Sequence, residues 1–261
     1  MSLSGELLVH DEGHVRTLTL NRPQRSNALS RTLGATMTEA LLEAGEDPGV
    51  WAIVITGAGD RSFCAGADLK DMGAADDEGV RFRPPWRRPE RPVLEVLWET
   101  YKPTIAAVNG HAVGGGFELM LACDRRVVSD VAKLGLPEAK RGMGANFGTV
   151  VLPRSVPLAI AYEMLYTGEY ISAQDALRWG LANRVVPADR VRAVAAELAA
   201  AVTANAPLTL RRMKETVAKT RELPVAAALR LDVGPNPYTS EDREEGVRAY
   251  LEKRTPRWKG R

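Results

Sequence analysis

Two glutamates, Glu118 and Glu138, stand out because each follows a segment that fixes its position. Glu118 comes after three consecutive glycines at 114–116, where an apolar strand runs into a turn that opens a helix. Backbone N–H groups at the start of a helix stabilise negative charge. Glu138 follows Pro137 in a short rigid segment that can hold a carboxylate towards a cleft. Paired carboxylates beside an anion-stabilising turn are suited to proton transfer next to a carbonyl group.

A second turn, at residues 63–69 with the sequence FCAGADL, leads from an apolar run into a short helical pattern. Taken alone, the pattern is equally compatible with an ordinary strand-to-helix turn. Its significance is that the N–H of Ala67 can converge with that of Gly115. Two N–H donors that converge on one carbonyl oxygen form an oxyanion hole.

The elements that must position these residues are predicted from periodicity. Residues 15–20 alternate as in a half-buried strand, and Ser30 is a predicted N-cap for a helix with apolar positions at helical spacing. The continuous apolar runs 51–55 and 104–108 are typical of strands buried on both faces. The alternation of strand and helix patterns predicts an α/β layered core.

After about residue 155 the pattern becomes helical. Ser172 is a predicted helix cap, and further helices are predicted at 189–203, 207–221 and 240–253. We therefore predict a core over residues 1–204 and a C-terminal helical region over 205–261, which is expected to mediate oligomerisation. The arginine- and proline-rich segment 81–92 predicts an exposed irregular loop.

Composition excludes several classes of protein. A formal charge of +2 over 261 residues gives no indication of nucleic-acid binding. Residues 1–20 mix apolar and charged side chains, which fits neither a signal peptide nor a membrane span, so we expect a soluble cytoplasmic protein with no membrane partner. Cys64 and Cys123 are far apart and are predicted to be reduced, buried thiols.

Other site types match less well. Residues 57–62 resemble the start of a dinucleotide fingerprint but lack the third glycine, and the three histidines have no metal-binding spacing, so no metal site is predicted. Glycosidases also use paired carboxylates, but they have no use for the glycine turns. The arginine-rich loop is most simply solvated charge, although guanidinium groups near a cleft also bind phosphates.

Several motifs in order along the chain resemble the crotonase superfamily, specifically enoyl-CoA hydratases. They are NRP at 21–23, NAL at 27–29, AGADL at 65–69, GGGFEL at 114–119, LPE at 136–138, RWGLANRVV at 178–186 and EKR at 252–254. Within the superfamily, PEAK at 137–140, ALRWG at 176–180 and WKGR at 258–261 are most similar to the carnitinyl-CoA dehydratase subgroup. One departure is the stretch 142–151, which lacks the proline–glycine-rich pattern of hydratases and is expected to line the acyl pocket.

The resemblance implies an α/β fold, a crotonase-like spiral of ββα units with a C-terminal helical region, assembled as a trimer or a dimer of trimers. It also implies the chemistry of a hydratase. The Ala67 and Gly115 N–H groups would polarise the thioester carbonyl of a 2-enoyl-CoA, and Glu118 and Glu138 would hold one water as acid and base. Which glutamate has which role is open from the sequence, although family analogy assigns delivery of the α-proton to Glu138. No metal or redox cofactor is expected, and the coenzyme A thioester enters as substrate.

The resemblance further implies residues that bind the CoA moiety. Arg25, Arg61 and Lys70 match basic residues that contact phosphate or pantetheine, and Ala65 and Asp68 would border adenine through backbone groups. Tyr250 and Lys253 match C-terminal residues that reach CoA. Isomerisation or hydrolysis of an acyl-CoA in the same site is an alternative, and a non-catalytic RNA-binding role is disfavoured by the glutamate pair and the near-neutral charge.

Overall fold

The computed structural model describes residues 5–77 and 91–261. Its ten strands, in chain order, are β1 (Leu7–Glu12), β2 (Val15–Leu20), β3 (Ala52–Gly57), β4 (Ser62–Cys64), β5 (Thr104–Val108), β6 (His111–Val113), β7 (Arg125–Ser129), β8 (Lys133–Gly135), β9 (Ile171–Ser172) and β10 (Arg184–Val186). They form a six-stranded sheet of order β1-β2-β3-β5-β7-β10 and a four-stranded sheet of order β4-β6-β8-β9. Within them only the pairs β1–β2 and β8–β9 are antiparallel.

The two sheets are linked by a repeated pattern of connections. Each of the pairs β3–β4, β5–β6 and β7–β8 places its first strand in the large sheet and its second strand in the small one. A helical segment then returns the chain to the large sheet, so successive units wind as a spiral of ββα units. The predicted fold is therefore confirmed.

Eleven α-helices occur among the described residues. Their bounds are α1 (Arg31–Glu46), α2 (Leu69–Asp77), α3 (Val93–Trp98), α4 (Gly115–Ala122), α5 (Asn146–Val151), α6 (Leu158–Thr167), α7 (Ala173–Arg178), α8 (Val191–Thr203), α9 (Pro207–Thr220), α10 (Val225–Ala228) and α11 (Glu241–Leu251). Ser30 and Ser172 cap α1 and α7 as predicted, each hydroxyl accepting a hydrogen bond from the N–H three residues on.

The core lies on both sides of the large sheet, which explains the continuous apolar runs. In β3, Ile53 and Ile55 pack into the main cluster with Leu33 and Met37 of α1. Val54, between them in sequence, packs instead against Val194 of α8. Every residue of β3 and β5 is buried, as predicted for strands covered on both faces.

The C-terminal residues are helical, with α9 to α11 after residue 205. Over the described ranges, no single helix combines the length and apolar composition of a membrane span. Residues 188–203 and 207–220 meet those criteria only as a pair, and that pair is bent by 102°. Cys64 and Cys123 are buried free thiols. The predicted loop at 81–92 lies, except for its last two residues, outside the described residues.

Candidate active site

Glu118 is placed by the turn between β6 and α4. Gly114 adopts φ +56°, which glycine permits, and a Cβ at this position would lie 2.9 Å from Glu138 Oε1. The helix that follows presents Glu118 in its first turn, with only 7% of the residue exposed. Glu118 Oε1 accepts a hydrogen bond of 2.7 Å from the N–H of Gly148. The carboxylate is therefore held by two separate elements, α4 and α5.

Glu138 lies in a 3-10 helix, Pro137–Arg141, that begins at the predicted proline. Because its Oε1 lies close to the backbone of Gly114, this carboxyl group is beside the turn that carries Glu118. Its Oε2 is buried and has no hydrogen-bond partner among the described residues. A buried carboxyl oxygen without a partner is costly, which marks it as a group that a ligand or reacting water satisfies.

The two N–H groups of the predicted oxyanion hole also lie close together. A Cβ at Gly115 would be 3.7 Å from the nitrogen of Ala67, and Gly66, with φ +87°, packs against Gly115 N. Gly115 is the first residue of α4, so its N–H has no acceptor within the helix. Ala67 and Leu29 form an isolated parallel bridge. Its two hydrogen bonds run from the Leu29 N–H to the Gly66 carbonyl and from the Asp68 N–H to the Leu29 carbonyl, so neither uses the N–H of Ala67. The Ala67 N–H therefore points away from Leu29.

Electrostatics set the protonation of the acidic pair. Burial, with a smaller contribution from the charge of Glu138, raises the pKa of Glu118 to about 7, although the hydrogen bond from the Gly148 N–H opposes the shift. Burial also raises the pKa of Glu138, and the Arg141 guanidinium opposes that shift. Two neighbouring carboxyls with raised pKa values are suited to sharing one proton near neutral pH.

Most of the predicted CoA-binding residues cluster around the Ala67 turn. Ala65, Arg61 and Lys70 are exposed at the surface, and Arg25 is close enough for its charge to lower the pKa of Asp68. Asp68 differs from the others, because its N–H bonds to Leu29, its carbonyl accepts from Met72 and its carboxylate pairs with Arg22. The proposed contact of Asp68 with adenine stays a prediction.

Tyr250 lies in the last turn of α11, and Lys253 follows the end of that helix. Tyr250 is 83% exposed, and Lys253 has φ +54°, a left-handed conformation just after the helix. The N–H of Lys253 bonds to the Tyr250 carbonyl. Their role in binding CoA stays a prediction.

Sequence reasoning missed the group that holds Glu118. Gly148 belongs to the departing stretch 142–151, whose only expected role was to line the acyl pocket. The neighbouring Phe147 packs edge-to-face against Trp98 of α3, with 5.7 Å between ring centroids. The departing stretch thus contacts the Glu118 carboxylate through Gly148 and presents an aromatic side chain through the neighbouring Phe147.

Comparison with known proteins identifies the family. Residues 10–261 match the profile of the family described as enoyl-CoA hydratase/isomerase. The chain belongs to the enoyl-CoA hydratase/isomerase family. This enoyl-CoA hydratase/isomerase family enzyme is 41% identical to a carnitinyl-CoA dehydratase of Proteus mirabilis, over 99% of the chain and 100% of the relative. It is 40% identical to one of Salmonella typhi, with the same coverage.

Solved structures of the enoyl-CoA hydratase/isomerase family share the fold. An enoyl-CoA hydratase from Bacillus anthracis is 34% identical, with a TM-score of 0.86 over 98% of this chain and 100% of that chain. An enoyl-CoA hydratase from Mycobacterium tuberculosis is 32% identical, with a TM-score of 0.87 over 99% of this chain and 100% of that chain. The resemblance derived from the motifs is therefore confirmed, and the protein is a lyase-type enzyme of this family.

Proposed function

We propose that the protein catalyses the reversible addition of water across the 2,3 double bond of a 2-enoyl-CoA thioester. The observation that supports this most directly is the pair of raised-pKa carboxyls, Glu118 and Glu138, beside two clustered N–H groups. The N–H groups of Ala67 and Gly115 donate hydrogen bonds to the thioester oxygen and stabilise the negative charge that develops on it. The β-carbon becomes electrophilic as a result.

The acidic pair then moves two protons in one turnover. One carboxylate takes a proton from water as its oxygen bonds to the β-carbon, and the other carboxyl gives a proton to the α-carbon. The pair ends with one proton, as it began, so no co-reactant is consumed. The CoA phosphates would accept charge-assisted hydrogen bonds from Arg25, Arg61 and Lys70.

A second candidate reaction is the dehydration of carnitinyl-CoA, which the names of the relatives at 40–41% identity favour. Purified protein should be assayed for hydration of crotonyl-CoA and for dehydration of carnitinyl-CoA. Turnover of either supports the two-glutamate chemistry, and the ratio of kcat/KM values distinguishes the substrates. Double-bond migration or release of free CoA without either reaction would favour the isomerase or hydrolase alternative.

The raised pKa of Glu118 predicts how activity depends on pH. Below about pH 7 Glu118 keeps its proton, and above that pH Glu118 is ionised and can no longer donate a proton. We expect kcat/KM to fall as pH rises through an apparent pKa of about 7. Initial rates measured on folded protein at pH values on both sides of 7 check this prediction.

A charge variant tests the acidic limb of the pH profile, on which activity falls once both carboxyls are protonated and neither can accept a proton from water. Arg141→Gln should move the acidic limb to higher pH, because the Arg141 guanidinium lowers the pKa of Glu138. A value of kcat/KM that stays level or rises on the alkaline side would show that the pair does not share a proton in this way.

The aromatic contact between Phe147 and Trp98 predicts a determinant of substrate choice. We expect the acyl pocket to lie under residues 72–92 and 143–151, of which 78–90 lie outside the described residues. We expect Asn146→Ala and Phe147→Ala to change which acyl-CoA is preferred more than the maximal rate. A pocket contact of one methylene contributes about 1–3 kcal/mol, enough to reorder a panel of chain lengths.

Trp98→Ala is the matched variant, since it removes the other ring of the same contact. Competition assays with saturated and unsaturated chains of increasing length measure the order of preference. An unchanged order in all three variants would place the acyl pocket elsewhere.

We also propose that residues 205–261 form an oligomerisation region of a trimer or a dimer of trimers. Two apolar side chains of this region, Val225 and Leu229, are 74% and 82% exposed in the single chain. Covering such side chains is favourable by about 1.5–3 kcal/mol each. Light scattering at micromolar concentration should show a trimer or hexamer, and Leu229→Asp should weaken that assembly. A monomer would contradict the proposal.

The cytoplasmic location stays a prediction, testable by cell fractionation.

A further inference from the structure

The turn that carries Ala67 is held from behind by a buried arginine, Arg22, which is 7% exposed. Its Nη1 donates to the carbonyl of Ala28 at 2.6 Å, and its Nη2 donates to Asp68 Oδ2 at 2.9 Å. Its Nε contacts Glu6 Oε1 at 2.9 Å. The guanidinium therefore has one partner on each of three chain segments.

Two of those segments are the ones that form the bridge at Ala67. The N–H of Leu29 donates to the Gly66 carbonyl at 2.7 Å, and the N–H of Asp68 donates to the Leu29 carbonyl at 3.0 Å. Arg22 binds Ala28, the residue before Leu29, and Asp68, the residue after Ala67. One planar group thus fixes both sides of the bridge that directs the Ala67 N–H.

The orientation of this N–H matters because an oxyanion donor acts at about 2.7–3.1 Å from the developing charge. A displacement of about 1 Å in a catalytic group costs about 10²-fold. A guanidinium presents donors in a rigid fork and can bind two acceptors at fixed geometry, which a lysine ammonium cannot reproduce.

We propose that Arg22, together with Asp68, is a positioning residue for the Ala67 half of the oxyanion hole. The inference rests on the proposed function, since it requires that Ala67 polarises a thioester carbonyl. It also accounts for the burial of Asp68, whose carboxylate is directed to Arg22 and away from solvent.

The test compares Arg22→Lys with the double variant Arg22→Gln/Asp68→Asn. The double variant removes both charges, so no uncompensated buried charge remains at the pair. Glu6, the third partner, has a side chain 31% exposed and still accepts from the Ser30 hydroxyl. We expect kcat for 2-enoyl-CoA hydration to fall about 10- to 100-fold, with KM within about threefold of wild type.

A spectroscopic readout separates positioning from a purely structural role. Bound 2,4-hexadienoyl-CoA absorbs at longer wavelength when its carbonyl is polarised, and the Glu118→Gln background slows its consumption. We expect the red shift of the bound thioester to shrink in both Arg22 variants, and to be nearly absent with Ala67→Pro.

The matched control is Arg16→Gln/Asp11→Asn. Arg16 is also a buried arginine, bonded to Asp11 at 2.8 Å, but it lies between β1, β2 and the end of α1. This pair should lower thermal stability and leave the red shift and kcat unchanged.

The possible outcomes distinguish the proposed hydratase function from the positioning role of Arg22. Wild-type protein that neither hydrates 2-enoyl-CoA nor shifts the spectrum would overturn the proposed function and the role of Arg22 with it. Wild-type protein that does both, with folded Arg22 variants that keep full kcat and full red shift, would overturn only the positioning role. Failure of both Arg22 variants to fold, while the Arg16 control folds, would identify Arg22 as a structural residue and reject the proposal.

Discussion

Replacing Glu118 or Glu138 by glutamine is expected to lower hydration turnover by about 10²–10⁴-fold. Glutamine keeps the size and polarity of the side chain but can neither accept nor donate the transferred proton as a carboxyl does. The Gly148 N–H that donates to Glu118 Oε1 at 2.7 Å retains an oxygen acceptor in Glu118→Gln, so the local fold should be preserved. Binding of a CoA thioester should remain nearly intact.

Steady-state kinetics and calorimetric binding of a non-reacting acyl-CoA measure the two effects separately. Because both groups act on one water, the double variant should lose little more than the worse single variant. Glu169→Gln is the control, since Glu169 is an exposed glutamate paired with Lys140 at the surface and should keep full activity. Turnover by Glu118→Gln and Glu138→Gln within about threefold of wild type would reject the acid–base assignment.

Ala67→Pro is expected to reduce turnover by about 10²–10³-fold, a loss of about 2.7–4 kcal/mol of transition-state stabilisation. Proline removes the backbone N–H and leaves both glutamates in place. The bridge to Leu29 uses the groups of Gly66 and Asp68, so the deleted N–H is one that the bridge does not need. The expected loss therefore comes from the missing donor.

Ala67→Gly is the control, because it keeps the donor while changing the same side chain. Both variants must be compared at matched oligomeric state and thermal stability, since a distorted turn would reduce activity by another route. Equal hydration rates for folded Ala67→Pro and Ala67→Gly would show that Ala67 is only a turn residue and that the two-donor mechanism is wrong.

The acidic pair and the two turns could be predicted because local sequence determines them. A glycine at position 114 permits the left-handed turn before Glu118, and a proline at 137 restricts the backbone just before Glu138, so both effects are local in sequence. The buried strands β3 and β5 were predicted for a similar reason, since a continuous apolar run has few alternatives.

The sequence by itself thus determined the residue types at the site, the spiral fold and the family. Only the tertiary structure decided which distant groups hold the residues proposed to be catalytic: Gly148 against Glu118, and Arg22 with Asp68 behind Ala67. The physical reason is that these contacts join residues 30 and 46 positions apart, whose meeting depends on how the ββα units stack. Asp68 illustrates the difference, because its motif indicated a ligand contact, whereas its burial beside Arg22 gives the carboxylate a partner within the protein.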